Sequence, residues 1–526
     1  MVDMAREIER KYEATEDGGL PDLTGVAEVA GVTDQGVVTL DATYYDTPDL
    51  RLAADGITLR RRTGGDEGWH LKLPVGPDTR DEIRAPLSDT LPAKLAGLVR
   101  SRTRGAALVP LVHLLSERHV KHLVDAGGVP LAELSADRVT ARRLAPEPGE
   151  PVRWAEAEVE LAEGGDPALL DTLEPHLADA GLRRSAAPSK LARALAETDP
   201  DRRGEKAGKQ KGPAGPAKPP KERREKGIKP KKATSGDVVL GYLRRQVIAI
   251  VTLDPAVRLE TPDSVHRMRV ATRRMRSAFR SYRGVLDRTV TDPIDAELKW
   301  LAAELGVDRD REVLTARLGE RLGEVPVELR LGPVAARLRV WSHARRGGSR
   351  ERLLGVLDGD RYLALLDALD ALLADPPLRP AAARPWAEAI PKAVLGDYER
   401  LAGRIEAALA TPAGPDRDVT LHEGRKDAKR ARYAAEVARP VLGKPAKAFA
   451  ELMAEVQELL GDHQDSVVAR EALRELAVEA HGAGESVFTF GLLYGREEAR
   501  AAARERELPG LWAETSRKKH RAGLEP

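Results

Sequence analysis

His266-Arg-Met-Arg-Val-Ala-Thr-Arg-Arg-Met-Arg276 is matched, 156 residues downstream (from 266 to 422), by His422-Glu-Gly-Arg-Lys-Asp-Ala-Lys-Arg-Ala-Arg432. A second pair follows at nearly the same interval, because Leu305–Val313 and Leu460–Val468 both fit Leu-Gly-x-x-x-Asp-x-x-Val. This repetition indicates that the C-terminal half of the chain is an internal duplication. Each copy of the duplicated unit carries a histidine followed by a row of cations.

On an α-helix, which turns by about 100° per residue, each copy places its cations on one face and its apolar residues on the opposite face. The packing face of the first copy includes Met268, Met275 and Phe279, and that of the second is built of alanines. Cations three and four residues apart on a helix repel one another, so two such stripes predict a long polyanionic ligand. A solvated charged face is the alternative for either stripe alone. The predicted binding residues are His266, Arg269, Arg273, Arg276, His422, Arg425, Lys429 and Arg432.

Asp310 and Asp465 occupy equivalent positions after the two Leu-Gly pairs. They either form salt bridges with the cationic stripes or cap helices. Histidine titrates near neutral pH, so polyanion binding is expected to strengthen below about pH 6.5.

Composition limits the class of protein. A chain of 526 residues is too long for one core, so two or more domains are expected. The absence of cysteine excludes disulfides and Cys-ligated metals and is typical of a cytoplasmic protein. The sequence has neither a signal-peptide pattern nor a run of about 18 apolar residues, so no membrane partner is expected. Aromatic residues make up only 4% of the chain, which disfavours specific recognition of nucleic acid by base stacking.

Three regions follow from the pattern along the chain. Residues 1–198 have short strand-like segments and many turns. Residues 199–235 are predicted to be a basic disordered linker, because residues 201–232 hold 13 Lys/Arg against 4 Asp/Glu without apolar periodicity. Residues 236–515 have helical periodicity and divide into halves at about 236–375 and 376–515. Ala446–Leu460 and Val467–Ala480 are among the predicted helices.

In the first region, charged residues alternate along the predicted strands. Glu7, Glu9 and Lys11 share one face of the first strand, and Glu156, Glu158 and Glu160 share one face of a late strand. If the apolar faces pack outward under helices, the charged faces line the interior of a closed antiparallel barrel. Carboxylate pairs suit Mg²⁺ or Mn²⁺, and arginine and lysine suit phosphate oxygens. An antiparallel sheet with one face in water is the alternative.

Glu7-x-Glu9-x-Lys11, together with Glu158-x-Glu160 and Ser189-Lys190, resembles the signature of the CYTH family, the triphosphate tunnel metalloenzymes. The duplicated half resembles the CHAD domain, a helical bundle that associates with inorganic polyphosphate. The resemblance implies a multidomain α+β protein. Its N-terminal part is a closed antiparallel β-barrel tunnel with flanking helices, and its second part is an all-α duplicated helical bundle. The sequence departs from the family at His70, where many relatives have threonine two positions before the strand lysine.

The resemblance also implies roles for individual residues. The implied ligands of Mg²⁺ or Mn²⁺ are Glu7, Glu9, Asp137, Glu158 and Glu160. The implied phosphate-binding residues are Lys11, Arg60, Arg62, Lys72, Arg80, Arg118 and Lys190, and Glu82 is expected to orient Arg80. An unusual segment, Leu111–Val124, contains Arg118 together with His113, His119 and His122, and the three histidines form a metal cluster in an alternative interpretation.

The implied activity is hydrolysis of a terminal phosphoanhydride in inorganic triphosphate or short polyphosphate, with the helical domain holding polyphosphate. The implied location is the cytoplasm, where association with polyphosphate granules is compatible with the binding stripes. A non-catalytic polyphosphate-binding protein with an inactive barrel is the main alternative. A nucleic-acid binder and an adenylate cyclase of the CYTH type are further alternatives, although the sequence has no phosphate-binding loop of the Walker or Rossmann type.

Overall fold

The computed structural model describes residues 3–15, 19–199, 232–306, 309–343 and 349–525. The chain forms two compact units, residues 1–223 and 224–526. Most of the predicted linker, residues 200–231, lies outside the described residues. No helix in the described ranges is both long and apolar enough to cross a membrane.

The first unit contains a closed antiparallel barrel of eight strands, as predicted. The strands are β1 (Asp3–Ala14), β2 (Gly31–Asp46), β3 (Thr58–Thr63), β4 (Gly68–Gly76), β5 (Thr79–Ala85), β6 (Val109–Val124), β7 (Pro130–Arg143) and β8 (Val152–Leu161), with a two-residue strand β9 (Arg183–Arg184) beside β1. Strand β1 closes the barrel, because its first half pairs with β5 and its second half pairs with β8. The segment Leu111–Val124, which has an irregular pattern in the sequence, is a continuous part of β6.

Within residues 3–15 and 19–199, four helices flank the barrel: α1 (Arg51–Ala54), α2 (Ala93–Thr103), α3 (Ala168–Asp179) and α4 (Lys190–Glu197). The outward apolar faces of β1, β7 and β8 pack against the leucines of α3, as in the contact cluster of Tyr12, Leu134 and Val159 with Leu173 and Leu177. Because side chains alternate across a strand, this packing turns the intervening charged residues into the barrel. The sequence alternation is therefore confirmed as a division between an apolar outside and a charged inside.

The second unit is helical. Its α-helices are Ser235–Arg258, Ser264–Ser281, Arg288–Glu304, Arg309–Gly323, Val334–His343, Ser349–Asp358, Asp360–Ala374, Trp386–Ala410, Pro415–Leu442, Lys444–Gly482 and Phe488–Thr515. Thr234 begins the first of them with a capping box, in which its hydroxyl accepts from the backbone of Asp237 and the Asp237 carboxylate accepts in return. The predicted boundary between the halves, at residues 375–376, falls between two of these helices.

One predicted helix boundary is wrong. Ala446–Leu460 and Val467–Ala480 belong to a single 39-residue helix, Lys444–Gly482. The intervening Gly461 costs about 1 kcal/mol relative to alanine in a helix interior, and the buried residues Leu460 and Ala469 on either side of it offset that cost. In the first copy, the corresponding Leu305-Gly306 follows the end of helix Arg288–Glu304. The two repeats therefore share sequence but not helix continuity.

The two stretches that define the duplication lie on helices Ser264–Ser281 and Pro415–Leu442, here called the first and second basic helices. They pack against each other through their small and apolar faces, and Met275, Ala431 and Ala434 are fully or almost fully buried. The hydroxyl of Tyr282 donates to the carbonyl oxygen of Ala434 at 2.8 Å, which ties the end of the first basic helix to the second.

Candidate functional site

The barrel encloses a cavity of about 410 Å³. Twelve of the thirteen residues predicted for this region line it, because they occupy inward positions on the strands or the start of α4. They are Glu7, Glu9, Lys11, Arg60, Arg62, Lys72, Arg80, Glu82, Arg118, Glu158, Glu160 and Lys190. The structure thus brings together residues that are far apart in the sequence in one enclosed, strongly charged space, here called the tunnel.

The first strand contributes two carboxylates that differ in charge state. Burial opposes ionisation of Glu9, but the nearby ammonium groups of Lys11 and Lys72 outweigh it and lower its pKa to about 2. Burial raises the pKa of Glu7 to about 7, although Lys72 lies 2.5 Å from its Oε2. Glu9 is therefore ionised at neutral pH, whereas Glu7 holds a proton to a higher pH than an ordinary glutamate.

Glu160 has no hydrogen-bond or ion-pair partner among the described residues. Burial raises its pKa, and Glu9 and Glu158 raise it further against the lowering effect of Lys72. Glu160 lies directly opposite Glu9 in the β1–β8 register. Carboxylates that are crowded, buried and under-neutralised fit a hard divalent cation such as Mg²⁺ or Mn²⁺, which takes oxygen ligands. Glu7, Glu9, Glu158 and Glu160 all line the tunnel, and their role as metal ligands stays a prediction.

Asp137 differs from the other predicted metal ligands. It lies behind the tunnel surface, where its two oxygens accept from Arg118 at 2.9 and 2.8 Å and its Oδ2 lies 3.0 Å from Lys190 Nζ. Lys190 also contacts Glu156 at 2.7 Å and Glu158 at 2.6 Å, so its ammonium lies among three carboxylates. These contacts indicate that Asp137 holds Arg118 and Lys190 in place. A role for Asp137 as a metal ligand stays a prediction.

Glu82 is a centre of cationic contacts, but Arg80 is not among them. The carboxylate of Glu82 accepts from Arg84 and lies 3.1 Å from Nδ1 of His70, 3.6 Å from Lys72 and 3.7 Å from Arg60. The expectation that Glu82 orients Arg80 is therefore wrong. Arg80 instead donates to the carbonyl oxygen of Pro188 and lies 3.8 Å from Glu9. Both residues are on β5, but the neighbouring strands offer each a different partner.

The cations of the tunnel wall also crowd one another. Burial lowers the pKa of Arg62 to about 10, and the adjacent Arg60 guanidinium contributes to this shift. Arg62 donates to the carbonyl oxygen of Asp66 at 2.8 Å and to its carboxylate at 3.1 Å, so the loop between β3 and β4 holds it in place. An anion that neutralises these crowded arginines stabilises the tunnel wall, because it offsets their mutual repulsion.

Several tunnel residues were not predicted from the sequence. Arg84 continues the inward alternation of Arg80 and Glu82, so the period-two pattern could have found it. Asp66, on a loop, and Tyr44, an aromatic residue on β2, give no comparable signal. The other lining residues beyond the prediction include Thr58, Ser116, Glu133 and Ser189.

The three histidines of β6 do not form a cluster. His113 lies 2.8 Å from Asp41, His119 lies 2.9 Å from Asp34, and His122 lies 3.8 Å from Glu133. Each faces a different carboxylate, so the alternative interpretation as a metal cluster is wrong. Their neighbour Arg118, in contrast, lines the tunnel as predicted.

In the helical domain, the two cationic stripes meet across the packed basic helices. Lys429 of the second helix faces cations of both stripes. Burial lowers its pKa to about 7, and Arg273 and Arg425 lower it further, followed by Arg269 and Arg432. Among the described residues, Lys429 has no ion pair. The duplication thus produces one concentrated basic surface, here called the basic patch, in place of two separate stripes.

Some stripe residues are already neutralised. Arg276 lies 3.0 Å from Asp295 and Arg432 lies 3.3 Å from Glu436, which also pairs with Arg274 at 3.0 Å. His266 is exposed, and it has no hydrogen-bond or ion-pair partner among the described residues. Carboxylates of the helical domain therefore offset part of the charge of both stripes, whereas Lys429 has no ion pair among the described residues.

Asp465 lies 3.7 Å from Arg425 and is inside the helix Lys444–Gly482. Its interpretation as a helix cap is therefore wrong, and a salt bridge to the stripe is the observed arrangement. The side chain of Asp310 lies outside the described residues. The repeated Gly306 and Gly461 lie against Arg269 and Arg425, respectively.

The titration of His422 bears on the expected pH dependence. Burial lowers its pKa from the usual value, and the neighbouring Lys426 and Arg425 lower it further against Glu423. Its Nδ1 is buried and accepts or donates no hydrogen bond. The free protein therefore keeps His422 neutral to a lower pH than an ordinary histidine, and the pKa of Lys429 is about 7.

Comparison with known proteins gives matches to both units. Residues 5–195 match the CYTH domain family and residues 241–474 match the CHAD domain family. An uncharacterised protein of Mycobacterium tuberculosis H37Rv is 39% identical over 522 residues, which cover 95% of this chain and 94% of that protein. The thiamine-triphosphatase of Homo sapiens is 37% identical over 115 residues, which cover 20% of this chain and 45% of that enzyme. The CHAD domain of the plant Ricinus communis gives a TM-score of 0.39 at 25% identity, over 54% of this chain and 92% of that domain.

Proposed function

The chain belongs to the CYTH–CHAD family, and from this we propose that its tunnel hydrolyses inorganic triphosphate or short polyphosphate while its helical domain binds polyphosphate. The CYTH family consists of metal-dependent enzymes and its members include triphosphatases. The observation that carries the proposal is the composition of the tunnel, where under-neutralised carboxylates face a wall of crowded arginines and lysines.

On the acidic side, Glu7, Glu9 and Glu160 would hold Mg²⁺ or Mn²⁺. A bound divalent cation supplies charge neutralisation for phosphate oxygens and activates water for attack on phosphorus. The chain's own contribution is to place these carboxylates on adjacent strands, with Glu9 and Glu160 in direct register. Lys11, which contacts Glu9 at 3.1 Å and also pairs with Glu158, keeps the carboxylates from repelling one another.

On the basic side, the strand cations would bind the phosphate chain. Arg60, Arg62 and Lys72 lie on the adjacent strands β3 and β4, and their enclosed position strengthens each interaction with an anion. Arg118 is fixed by its two-pronged contact with Asp137 and reaches Glu158 at 2.6 Å. A rigid arginine is better able to stabilise charge that develops on the departing phosphate, because it needs little reorganisation.

For the helical domain, the basic patch is the proposed polyphosphate site. Lys429 is held with a lowered pKa beside arginines of both stripes, an arrangement that costs free energy unless an anion is present. A polyphosphate chain offers a negative charge at each phosphate and could contact both stripes at once. The protein is proposed to act in the cytoplasm, and binding through the patch would localise it to polyphosphate granules.

The test is phosphate release from inorganic tripolyphosphate with Mg²⁺, with Mn²⁺ and with EDTA, run beside ATP. Release that needs metal and that is much faster from tripolyphosphate than from ATP supports the proposal. The double variant E7Q/E9Q is the matched control, because glutamine keeps the size of each side chain and removes its charge. Release at the wild-type rate by this variant would contradict the tunnel as the reaction site.

A second candidate is a polyphosphate-binding protein with a silent tunnel. The observation that favours it is Lys190, whose ammonium already neutralises Asp137, Glu156 and Glu158. If folded protein retains long-chain polyphosphate but releases no phosphate with either metal, this second function replaces the first.

A further inference from the structure

His70 lies in the tunnel wall on the same face of β4 as Lys72. Its ring is 1% exposed, with Nε2 3.1 Å from the carbonyl oxygen of Asp66 and Nδ1 3.1 Å from Oε1 of Glu82. In the sheet register it lies between Arg60 of β3 and Arg84 of β5. His70 therefore contacts none of the expected metal ligands, but it touches the carboxylate that gathers the tunnel cations.

These two contacts require two protons. A carbonyl oxygen only accepts hydrogen bonds, so Nε2 must carry a proton. Nδ1 and Glu82 Oε1 then need a proton between them, because two lone pairs at this distance repel. Burial opposes ionisation of Glu82, but His70, Lys72 and Arg60 outweigh it and hold its pKa far below the usual range. The second proton therefore belongs on His70, which must be an imidazolium to satisfy both partners.

Burial and the tunnel cations oppose that imidazolium. Burial lowers the pKa of His70, and Arg60 and Arg62 lower it further, against the raising effect of Glu82. At neutral pH the ring is consequently neutral and carries one proton, so one of its two contacts, with Asp66 or with Glu82, lacks a proton. An anion bound between Arg60 and Arg62 would neutralise these cations and reverse the balance. The charged groups around the ring are Arg60, Arg62, Asp66, Lys72, Glu82 and Arg84.

We propose that His70 takes up a proton when a triphosphate enters the tunnel, and that its ring then donates to Glu82 and to Asp66 at the same time. The hydrogen bond fixes the carboxylate against which Lys72, Arg60 and Arg84 are placed, so the cations become ordered as substrate binds. His70 is thus a positioning residue that couples substrate binding to proton uptake. This inference rests on the proposed triphosphatase function and concerns a positioning residue of the same tunnel.

Two variants of the full-length protein distinguish the effect of the titrating proton from the effect of the side chain's hydrogen bonds. In H70N the amide nitrogen lies near the position of Nδ1 and donates to Glu82 without titrating. In H70Q the amide reaches the position of Nε2, so it keeps the bond to Asp66 but offers no donor to Glu82. Calorimetric titration with inorganic tripolyphosphate in EDTA, in two buffers of different ionisation enthalpy at pH 7.5, counts the protons taken up.

Wild-type protein is expected to take up as much as one proton more than either variant. Its affinity for tripolyphosphate should fall by up to about tenfold per pH unit at alkaline pH, while that of H70N changes less. H70Q should bind more weakly than H70N throughout. As a measurement on wild-type protein, tripolyphosphate should move one histidine ring to the imidazolium form in nitrogen NMR at neutral pH, and H70N should lack that signal.

Equal proton uptake by all three proteins, or equally weak binding by H70N and H70Q, would overturn the role of His70. So would a His70 ring that stays neutral in the saturated wild-type complex. If wild-type protein neither binds tripolyphosphate in EDTA nor hydrolyses it with Mg²⁺ or Mn²⁺, the proposed function itself fails, and the role of His70 fails with it.

Discussion

Gly306 lies against the guanidinium group of Arg269, and a Cβ at residue 306 would come within 2.8 Å of the guanidinium carbon and of one terminal nitrogen. The duplicated pair repeats the relationship more loosely, since a Cβ at Gly461 would lie 3.4 Å from the nearest atoms of Arg425. Gly306 therefore leaves room for an arginine of the basic patch, whereas a Cβ at Gly461 would make only ordinary van der Waals contact with Arg425.

Replacing Gly306 by alanine should displace Arg269 and weaken polyphosphate binding by about tenfold to a hundredfold, because a charge-assisted hydrogen bond contributes about 1.5–3 kcal/mol. G461A is the matched control. It should perturb binding less and raise stability by up to about 1 kcal/mol, since alanine is the better helix former. Binding isotherms and thermal unfolding of both variants check this, and equal losses of affinity would contradict the spatial explanation.

Metal affinity should depend on pH through Glu7. Burial raises the pKa of this group to about 7, so a cation that binds its ionised form must displace a proton. Affinity for Mn²⁺ should therefore rise between pH 6 and 8 and level off above that range. Titration of Mn²⁺ by calorimetry or by paramagnetic relaxation measures it. In E7Q the affinity should be weaker and flatter with pH, and an unchanged pH profile would exclude Glu7 as the titrating ligand.

Polyphosphate affinity should fall as pH rises above about 7, because Lys429 has a pKa of about 7 in the free protein and a bound polyanion favours its charged form. K429R should bind with little change from pH 7 to 9, since arginine stays protonated. Affinity measured by filter retention at fixed ionic strength tests this. Parallel pH profiles for wild-type protein and K429R would show that another group, such as His422, controls binding.

The buried charge of Lys429 is expected to lower the stability of the free protein and to favour polyphosphate binding. A buried lysine whose pKa is lowered binds fewer protons in the folded state than in the unfolded state, so the stability of the free protein should increase as pH rises from about 7 towards 10. K429M should raise the free energy of unfolding by about 1–3 kcal/mol at pH 7 and weaken polyphosphate binding. Denaturant unfolding checks the first effect. A less stable K429M would mean that contacts of the lysine stem outweigh its charge repulsion.

The two proposed activities should separate by mutation. E7Q/E9Q should lose at least about a hundredfold in tripolyphosphate hydrolysis, because the metal ligands are removed, and should retain long-chain polyphosphate binding. R269A/R425A should show the reverse pattern. Both double variants need the same pair of assays, hydrolysis and retention. If R269A/R425A loses hydrolysis as severely as E7Q/E9Q, the division of labour between the units is wrong.

The residues that line the tunnel were predicted from the resemblance to the CYTH family, and strand alternation, which is a local property, agrees with their inward positions. The sequence could not predict their partners, since those depend on register between distant strands. Glu82 therefore contacts Arg60 and Arg84 instead of Arg80, and Asp137 contacts Arg118. Lys190 enters from the start of α4, where Ser189 caps the helix, and strand periodicity contains no signal for it. In the helical half, the motif at Gly461 was equivalent in sequence, but burial on both sides kept the helix continuous.

Strand β1 joins both edges of the barrel, pairing with β5 through Asp3–Ile8 and with β8 through Glu9–Ala14. During synthesis, the strand that bears Glu7 and Glu9 emerges first but cannot complete its pairing until β8 has left the ribosome. Such long-range closure is slow, because chain entropy is lost before the final contacts form. Glu9 and Glu160 meet only at this last step, so a bound metal ion or triphosphate would select the finished barrel over every partly folded form.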